Sequence, residues 1–179
     1  ILTTLDALGM QSQRKDPKNA IKYFEEYYNT SGDDVAKQAY AYSQIGAAWY
    51  YAEDLKQSTE YYFKALDLLS GVEDHSLLAR IYNNIGWNLQ LEEDFNIAID
   101  YFKKSEEHAT LIKNKPFLAG ILNNLGVAYK NTDDYASALT MYEKAYRINQ
   151  ELESLSGQIS NLINISILSF KLKQYNKSA

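Results

Sequence analysis

Apolar side chains recur along this chain at helical spacing, in stretches of 15 to 18 residues separated by short polar breaks. Val35 to Tyr51 forms one such stretch. Ala52-Glu53-Asp54 interrupts it, and Asp54 is placed to cap a second helix running through about Leu69. Ser70-Gly71 then stops the helix, as glycine does just past a helix C-terminus. The same unit recurs as Leu77 to Leu91, a break at Glu92-Glu93-Asp94, and Phe95 to about Ile112. It recurs again as Phe117 to Asn131, a break at Thr132-Asp133-Asp134, and Tyr135 to about Leu152. Upstream, Asp16-Pro17 predicts a helix beginning at Pro17, because Asp caps and Pro is tolerated in a first turn. Downstream, Gln158 to Leu172 reads as one more first helix, with Tyr175 opening a second that is not completed.

These hairpins are copies of one another. Ile81-Tyr82-Asn83-Asn84-Ile85-Gly86-Trp87 is nearly repeated as Ile121-Leu122-Asn123-Asn124-Leu125-Gly126-Val127, at an offset of 40 residues. The same step leads back to Gly46 and forward to Ser166. A fixed period of this size marks units that cannot bury their apolar faces alone and must stack. The expected repeats are residues 1–34, 35–74, 75–114, 115–154 and an incomplete 155–179, in one array cut from a longer chain.

The residues at fixed positions resemble the tetratricopeptide repeat family. Its unit carries an aromatic, an aliphatic with Gly, and Tyr on one helix, then Ala and an aromatic on the next. The second unit matches with Tyr42, Ile45-Gly46, Trp49, Ser58, Tyr62 and Ala65, and the third with Tyr82, Ile85-Gly86, Leu89, Ala98 and Phe102. The fourth matches with Leu122, Leu125-Gly126, Tyr129, Ala138, Tyr142 and Ala145. The first keeps Ala20, Phe24 and Tyr27, and the fifth Leu162, Ile165 and Tyr175. The resemblance implies an all-α solenoid of about four and a half antiparallel hairpins in a right-handed superhelix, serving to bind protein or peptide. The period departs from the family's 34, and six extra residues add roughly 9 Å if all are helical. A mid-helix Gly costs about 1 kcal/mol relative to Ala. Gly46, Gly86 and Gly126 are therefore expected where helices approach closely, with Ala98 and Ala138 providing the complementary space.

Composition narrows the function without naming it. The chain is mildly acidic, with net charge −5 and no clustered basic face of the kind that neutralises phosphates, so nucleic acid is not the expected partner. No apolar run approaches the roughly 18 residues of a spanning helix, so no membrane contact by this segment is expected. The compartment stays open: cytoplasmic, or periplasmic if the full protein carries a signal peptide and anchor. With no Cys, thiolate chemistry is absent, and neither His75, read in a turn, nor His108 has carboxylates at metal-ligand spacing. No enzyme activity, metal or cofactor is expected. Glu92-Glu93-Asp94 and Asp133-Asp134 are read as helix-start acids that cap and complement the dipole.

Candidate binding residues come from helix geometry. Asn84 lies two residues before Gly86, about 200° around the helix, so it points away from its partner helix and toward the concave side. Arg80, Asn84, Trp87 and Leu91 then share a stripe, as do Tyr40, Gln44, Ala47 and Tyr51; Gly120, Asn124, Val127 and Asn131; and Ser160, Asn164, Ile167 and Lys171. One column is all amide: Gln44, Asn84, Asn124, Asn164. Amides match the C=O and N–H of a peptide backbone, so such a ladder suits an extended segment. Its neighbours Tyr40, Tyr50, Tyr51, Trp87, Arg80 and Lys130 would select among sequences; the plainer alternative is that the amides join adjacent helices. A carboxylate clamp is not supported, because Ser43, Asn83 and Asn123 occupy the positions where some relatives carry Lys and Arg. By resemblance to arrays in bacterial regulators, an input domain of a signalling protein is expected. The other expectation is a scaffold that forms homodimers through Ile163, Ile167 and Phe170 of the incomplete last repeat.

Overall fold

The computed structural model describes the backbone of residues 1–178 and side chains through residue 173. Among the described residues there are nine helices and no strand, and the architecture is an all-α solenoid of helical hairpins. The helices fall into two compact units, Ile1–Asn88 and Leu89–Ala179. The first holds α1 (Leu2–Ser12), α2 (Pro17–Thr30), α3 (Val35–Tyr51), α4 (Leu55–Leu68) and most of α5 (His75–Leu91). The second holds the end of α5 with α6 (Phe95–Leu111), α7 (Lys115–Asn131), α8 (Tyr135–Glu151) and α9 (Leu155–Ser178).

Within each unit helices pack on their neighbours in sequence, α1 to α4 in the first and α6 to α9 in the second, so the core is a series of small seams. In the first unit one seam gathers Ala20, Ile21, Phe24, Ile45 and Ala48, flanked by Tyr42, Trp49 and Tyr61. Another gathers Leu5, Tyr27 and Ala41. In the second unit Tyr142 and Ala138 meet Leu168. The repeat glycines permit this closeness. A Cβ on Gly126 would stand 2.6 Å from the Tyr142 ring, and one on Gly46 would stand 2.9 Å from the Tyr62 ring and 3.0 Å from the Ser58 carbonyl oxygen. The glycine space is thus filled chiefly by an aromatic four residues beyond the small residue. Gly9 repeats the arrangement under Phe24, which identifies α1 as a degenerate first helix of the first hairpin.

The period of 40 has a simple construction. Helices α5 to α8 are 17 residues each, joined by the three-residue turns 92–94, 112–114 and 132–134. In every such turn the middle residue is left-handed without being glycine: Glu53 at φ 63°, Glu93 at 65°, Lys113 at 54°, Asp133 at 60° and Glu153 at 54°. The next residue sends its N–H back to the carbonyl five residues upstream, as from Asp94 to Leu89 at 2.9 Å and from Asp134 to Tyr129 at 3.0 Å. This is the two-bond helix closure that normally recruits glycine. The residue that closes one helix then begins the next. Asp54 accepts from the Gln57 N–H at 2.9 Å, and Asp134 from the Ser137 N–H at 3.1 Å.

Three expectations change. Glu93 and Asp133 are not dipole-complementing first-turn acids; they supply the left-handed turn, and the cap is the residue after them. His75 is the first residue of α5, not part of a turn, because Asp74 caps that helix by accepting from the Leu77 N–H at 2.9 Å. No second helix opens at Tyr175, whose side chain lies outside the described residues: α9 runs unbroken to Ser178. The reason is local. Where Asp54, Asp94 and Asp134 stand, α9 has Gln174, so the capping signal is missing and the helix continues.

Candidate functional site

In the first unit, the stripes on α3 and α5 bound a cleft of about 240 Å³ lined by Ala47, Tyr50, Tyr51, Tyr62, Asn83, Asn84, Trp87 and Asn88. Four of the sequence-derived candidates, Tyr50, Tyr51, Asn84 and Trp87, meet here. Asn84 donates from Nδ2 to the Tyr62 hydroxyl at 3.1 Å, and its Oδ1 accepts from Asn83 at 3.4 Å. The Trp87 indole N–H donates to the Tyr50 hydroxyl at 3.1 Å, and the Tyr50 and Tyr51 rings meet edge to face with centroids 5.4 Å apart. Arg14 holds Tyr51 from outside the cleft. Its Nε donates to the phenol oxygen at 3.1 Å, and its guanidinium lies 5.3 Å from the ring centre. The lining contains no Asp, Glu, Lys or Arg, and burial raises the Tyr62 phenol well above its ordinary range.

Other candidates are turned to structural partners. Gln44 is 2% exposed, and Gln13 Nε2 donates both to its side-chain oxygen and to its carbonyl oxygen, each at 3.1 Å. The amide therefore tethers α1 to α3. Tyr40 is half-buried and donates to Asp6 at 2.7 Å; burial first and this bond second raise its pKa far above that of a free phenol. Arg80 is exposed on α5, near enough to Tyr40 and Tyr62 to act on both electrostatically.

In the second unit Asn124, Lys130 and Asn164 are half-buried and Asn131 is exposed. Of these, Asn131 borders an open depression of about 550 Å³ with Asn96, Ile97, Thr132 and the acids Glu93, Asp94 and Asp133. The second unit also contains an amide chain that the stripe argument missed. Asn149 donates to Asn161 at 2.8 Å, and Asn161 donates to Asn123 at 2.6 Å; Asn161 is fully buried. The first unit has a counterpart, where Asn88, 1% exposed, donates to Ser58 at 2.8 Å and Thr59 at 3.0 Å.

A signal for these pairs exists in the repeat register. Asn161 stands where other units have Ile81 and Ile121, Asn149 where they have Ala109, Asn88 where they have Ala48 and Ala128, and Ser58 where they have Ala98 and Ala138. A polar residue at an apolar register asks for a polar partner, since an unpaired buried amide costs about 1–3 kcal/mol. Such matched departures mark seams, and one of them, Asn88, also lines the α3–α5 cleft. Among the described residues no group of three or more His, Asp or Glu could hold a metal ion, and no helix is long and apolar enough to cross a membrane.

Two family models, both described as tetratricopeptide repeat, match residues 37–110 and 118–154. No curated protein sequence matches the chain. Among solved structures, BtubC from P. vanneervenii is similar with a TM-score of 0.87 and 20% identity over 97% of this chain and 73% of that one. A signal transduction ATPase with numerous domains, with a tetratricopeptide repeat sensor, from Pyrococcus horikoshii is similar at TM-score 0.83 and 18% identity, over 97% of this chain and 27% of that one. A Rap protein complexed with Competence and Sporulation Factor is similar at TM-score 0.71 and 19% identity, over 94% of this chain and 48% of that one. The chain thus spans less than half the length of the latter two, and at these identities the likeness is one of fold.

Proposed function

Because the chain belongs to the tetratricopeptide repeat family, whose arrays are protein-interaction modules, we propose that it binds an extended peptide or partner segment, anchored in the α3–α5 cleft. The observation that carries this reading is the meeting of Tyr51, Asn84 and Trp87 around one uncharged opening of about 240 Å³, room for a single side chain. Aromatic walls remove an apolar side chain from water, contributing about 1.5–3 kcal/mol. The Asn84 amide has four hydrogen-bonding sites, of which the bonds to Tyr62 and Asn83 engage one donor and one acceptor. The remaining pair complements the C=O and N–H of a neighbouring peptide unit. Asn124 and Asn164 occupy the same register in the second unit, while Gln44 serves the α1–α3 seam.

We further read the module as the input region of a larger regulatory protein. Two similar folds support this: one is a signal transduction ATPase with a tetratricopeptide repeat sensor, and the other is a Rap protein in complex with Competence and Sporulation Factor. The binding claim is tested by selecting random displayed peptides on the chain and titrating an enriched peptide into wild type, Asn84→Ala and Trp87→Ala proteins of matched helicity. Each variant is expected to weaken binding at least about tenfold, the loss of one well-placed contact worth ~1.4 kcal/mol. Enriched peptides that bind both variants as they bind wild type overturn the cleft assignment.

A further inference from the structure

A second opening in the first unit, of about 320 Å³, is lined by Glu25, Tyr28, Asn29, Tyr42, Ile45 and Tyr61 from α2, α3 and α4. At 100° per residue, Tyr42 and Ile45 lie on nearly the opposite side of α3 from Ala47, Tyr50 and Tyr51, which line the cleft. Three tyrosine rings meet in this opening. Tyr28 and Tyr42 stack with centroids 4.6 Å apart, and Tyr61 crosses Tyr42 at 5.8 Å and 64°. All three are half-buried. A hydrogen bond with the Tyr28 hydroxyl first, and burial second, push the Tyr42 phenol up to about 12, so it is a neutral hydroxyl at pH 7. Packing alone does not call for these residues: two repeats later the registers of Tyr42 and Tyr61 hold Leu122 and Met141.

We propose that this opening takes an arginine side chain of a protein or peptide partner, at a site separate from the α3–α5 cleft. Glu25, the one carboxylate in the lining, is exposed and forms no ion pair among the described residues, and the lining contains no Lys or Arg. The face of a tyrosine ring carries negative charge density that attracts a cation within about 6 Å. The same unit already shows such contacts. Lys64 Nζ lies 4.2 Å from the Tyr61 ring centre, and the Arg14 guanidinium lies 5.3 Å from the Tyr51 ring centre while its Nε donates to the phenol oxygen at 3.1 Å. Lys64 is not part of the lining and pairs with Glu60 at 2.8 Å, so it leaves Glu25 unneutralised. Arginine suits the opening better than lysine. Its guanidinium is flat, lies on an aromatic face, and carries five N–H donors for the Glu25 carboxylate and the tyrosine hydroxyls, where lysine offers three on a point charge. The net charge of −5 favours the approach of a cation.

A nuclear magnetic resonance titration of the chain with acetyl-Gly-Arg-Gly-amide tests this, beside the same peptide with citrulline or lysine in place of arginine. Citrulline keeps the shape of arginine and lacks its charge. The arginine peptide is expected to move the ring signals of Tyr28, Tyr42 and Tyr61 saturably, leaving the Asn84 and Trp87 side-chain signals fixed. The lysine peptide should bind at least about fivefold more weakly, and the citrulline peptide should leave the rings unmoved. Glu25→Gln and Tyr61→Met are each expected to weaken the arginine peptide at least about fivefold. Both should keep wild-type helicity, because Glu25 is exposed and the array itself carries Met141 at the register of Tyr61. Rings that show no saturable movement overturn the proposal. So does equal binding of the citrulline or lysine peptide, unchanged binding to either variant, or movement confined to Asn84 and Trp87. Failure at these rings does not bear on the α3–α5 cleft, whose selected-peptide titration reads other residues.

Discussion

Gly120 and Gly126 lie on the same helix and are expected to respond oppositely to alanine. Nothing lies within 4 Å of a Cβ on Gly120, so Gly120→Ala should gain roughly the full helix-propensity difference, about 1 kcal/mol. On Gly126 the added methyl meets the Tyr142 ring, and an overpacking cost of about 1–3 kcal/mol outweighs that gain. Thermal unfolding of the two variants checks both signs. The ring positions separate in the same way. The Tyr62 hydroxyl accepts from Asn84, whereas the Tyr142 hydroxyl is buried with no partner among the described residues. Tyr62→Phe should therefore cost about 1 kcal/mol, and Tyr142→Phe should be neutral or stabilising, as Phe102 at the same register suggests. The glycines were legible from period alone. What occupies their space was not, because a repeat pattern gives register but no depth, and only the packed helices show that a ring lies flat on the backbone.

At the scale of the helix and its joints, the seams are where this chain differs from a uniform array. Asn88→Ala should cost about 1–3 kcal/mol by leaving Ser58 and Thr59 without their donor. Adding Ser58→Ala recreates the Ala98 and Ala128 pair of the next repeat, so the double variant should be more stable than the sum of the single ones. A double-mutant cycle in urea measures the difference. The helix caps give an acid-side dependence. Hydrogen bonds with Lys37 hold the Asp34 carboxyl below its ordinary pKa, and hydrogen bonds with Ser137 do the same for Asp134. A depressed folded pKa means stability is present above about pH 3.9 and lost as pH falls through the folded value. Tm followed from pH 7 down to pH 2 should fall in that window, and less steeply for Asp134→Asn, which keeps the cap acceptor. The starts of α2, α4 and α8 could be read from Asp16, Asp54 and Asp134. The turns at 52–54, 92–94 and 132–134 were placed by their polar breaks, but their conformation was opaque, because five left-handed positions are filled by Glu, Lys and Asp where sequence reasoning waits for glycine.

For the whole molecule, the fold was available from the spacing of a few residues, since helical apolar spacing within units repeating at 40 points to a stacked helical array. The candidate site was only partly available. Placing Asn84, Trp87 and Tyr51 on shared stripes needed helix geometry alone, and they do border one cleft. The amide column did not behave as a unit, because Gln44 is claimed by Gln13 from a helix whose repeat identity was hidden by its degenerate sequence. Tyr62, arriving from α4 beneath that cleft, could not be foreseen from stripes on first helices. The most direct measurement is a nuclear magnetic resonance titration with a selected peptide, following the side-chain N–H signals of Asn84, Asn161, Trp87 and Trp49. If the α3–α5 cleft takes the peptide, the Asn84 amide and Trp87 indole signals move together and saturably while Asn161 and Trp49 stay fixed; saturable binding that leaves Asn84 and Trp87 unmoved contradicts it.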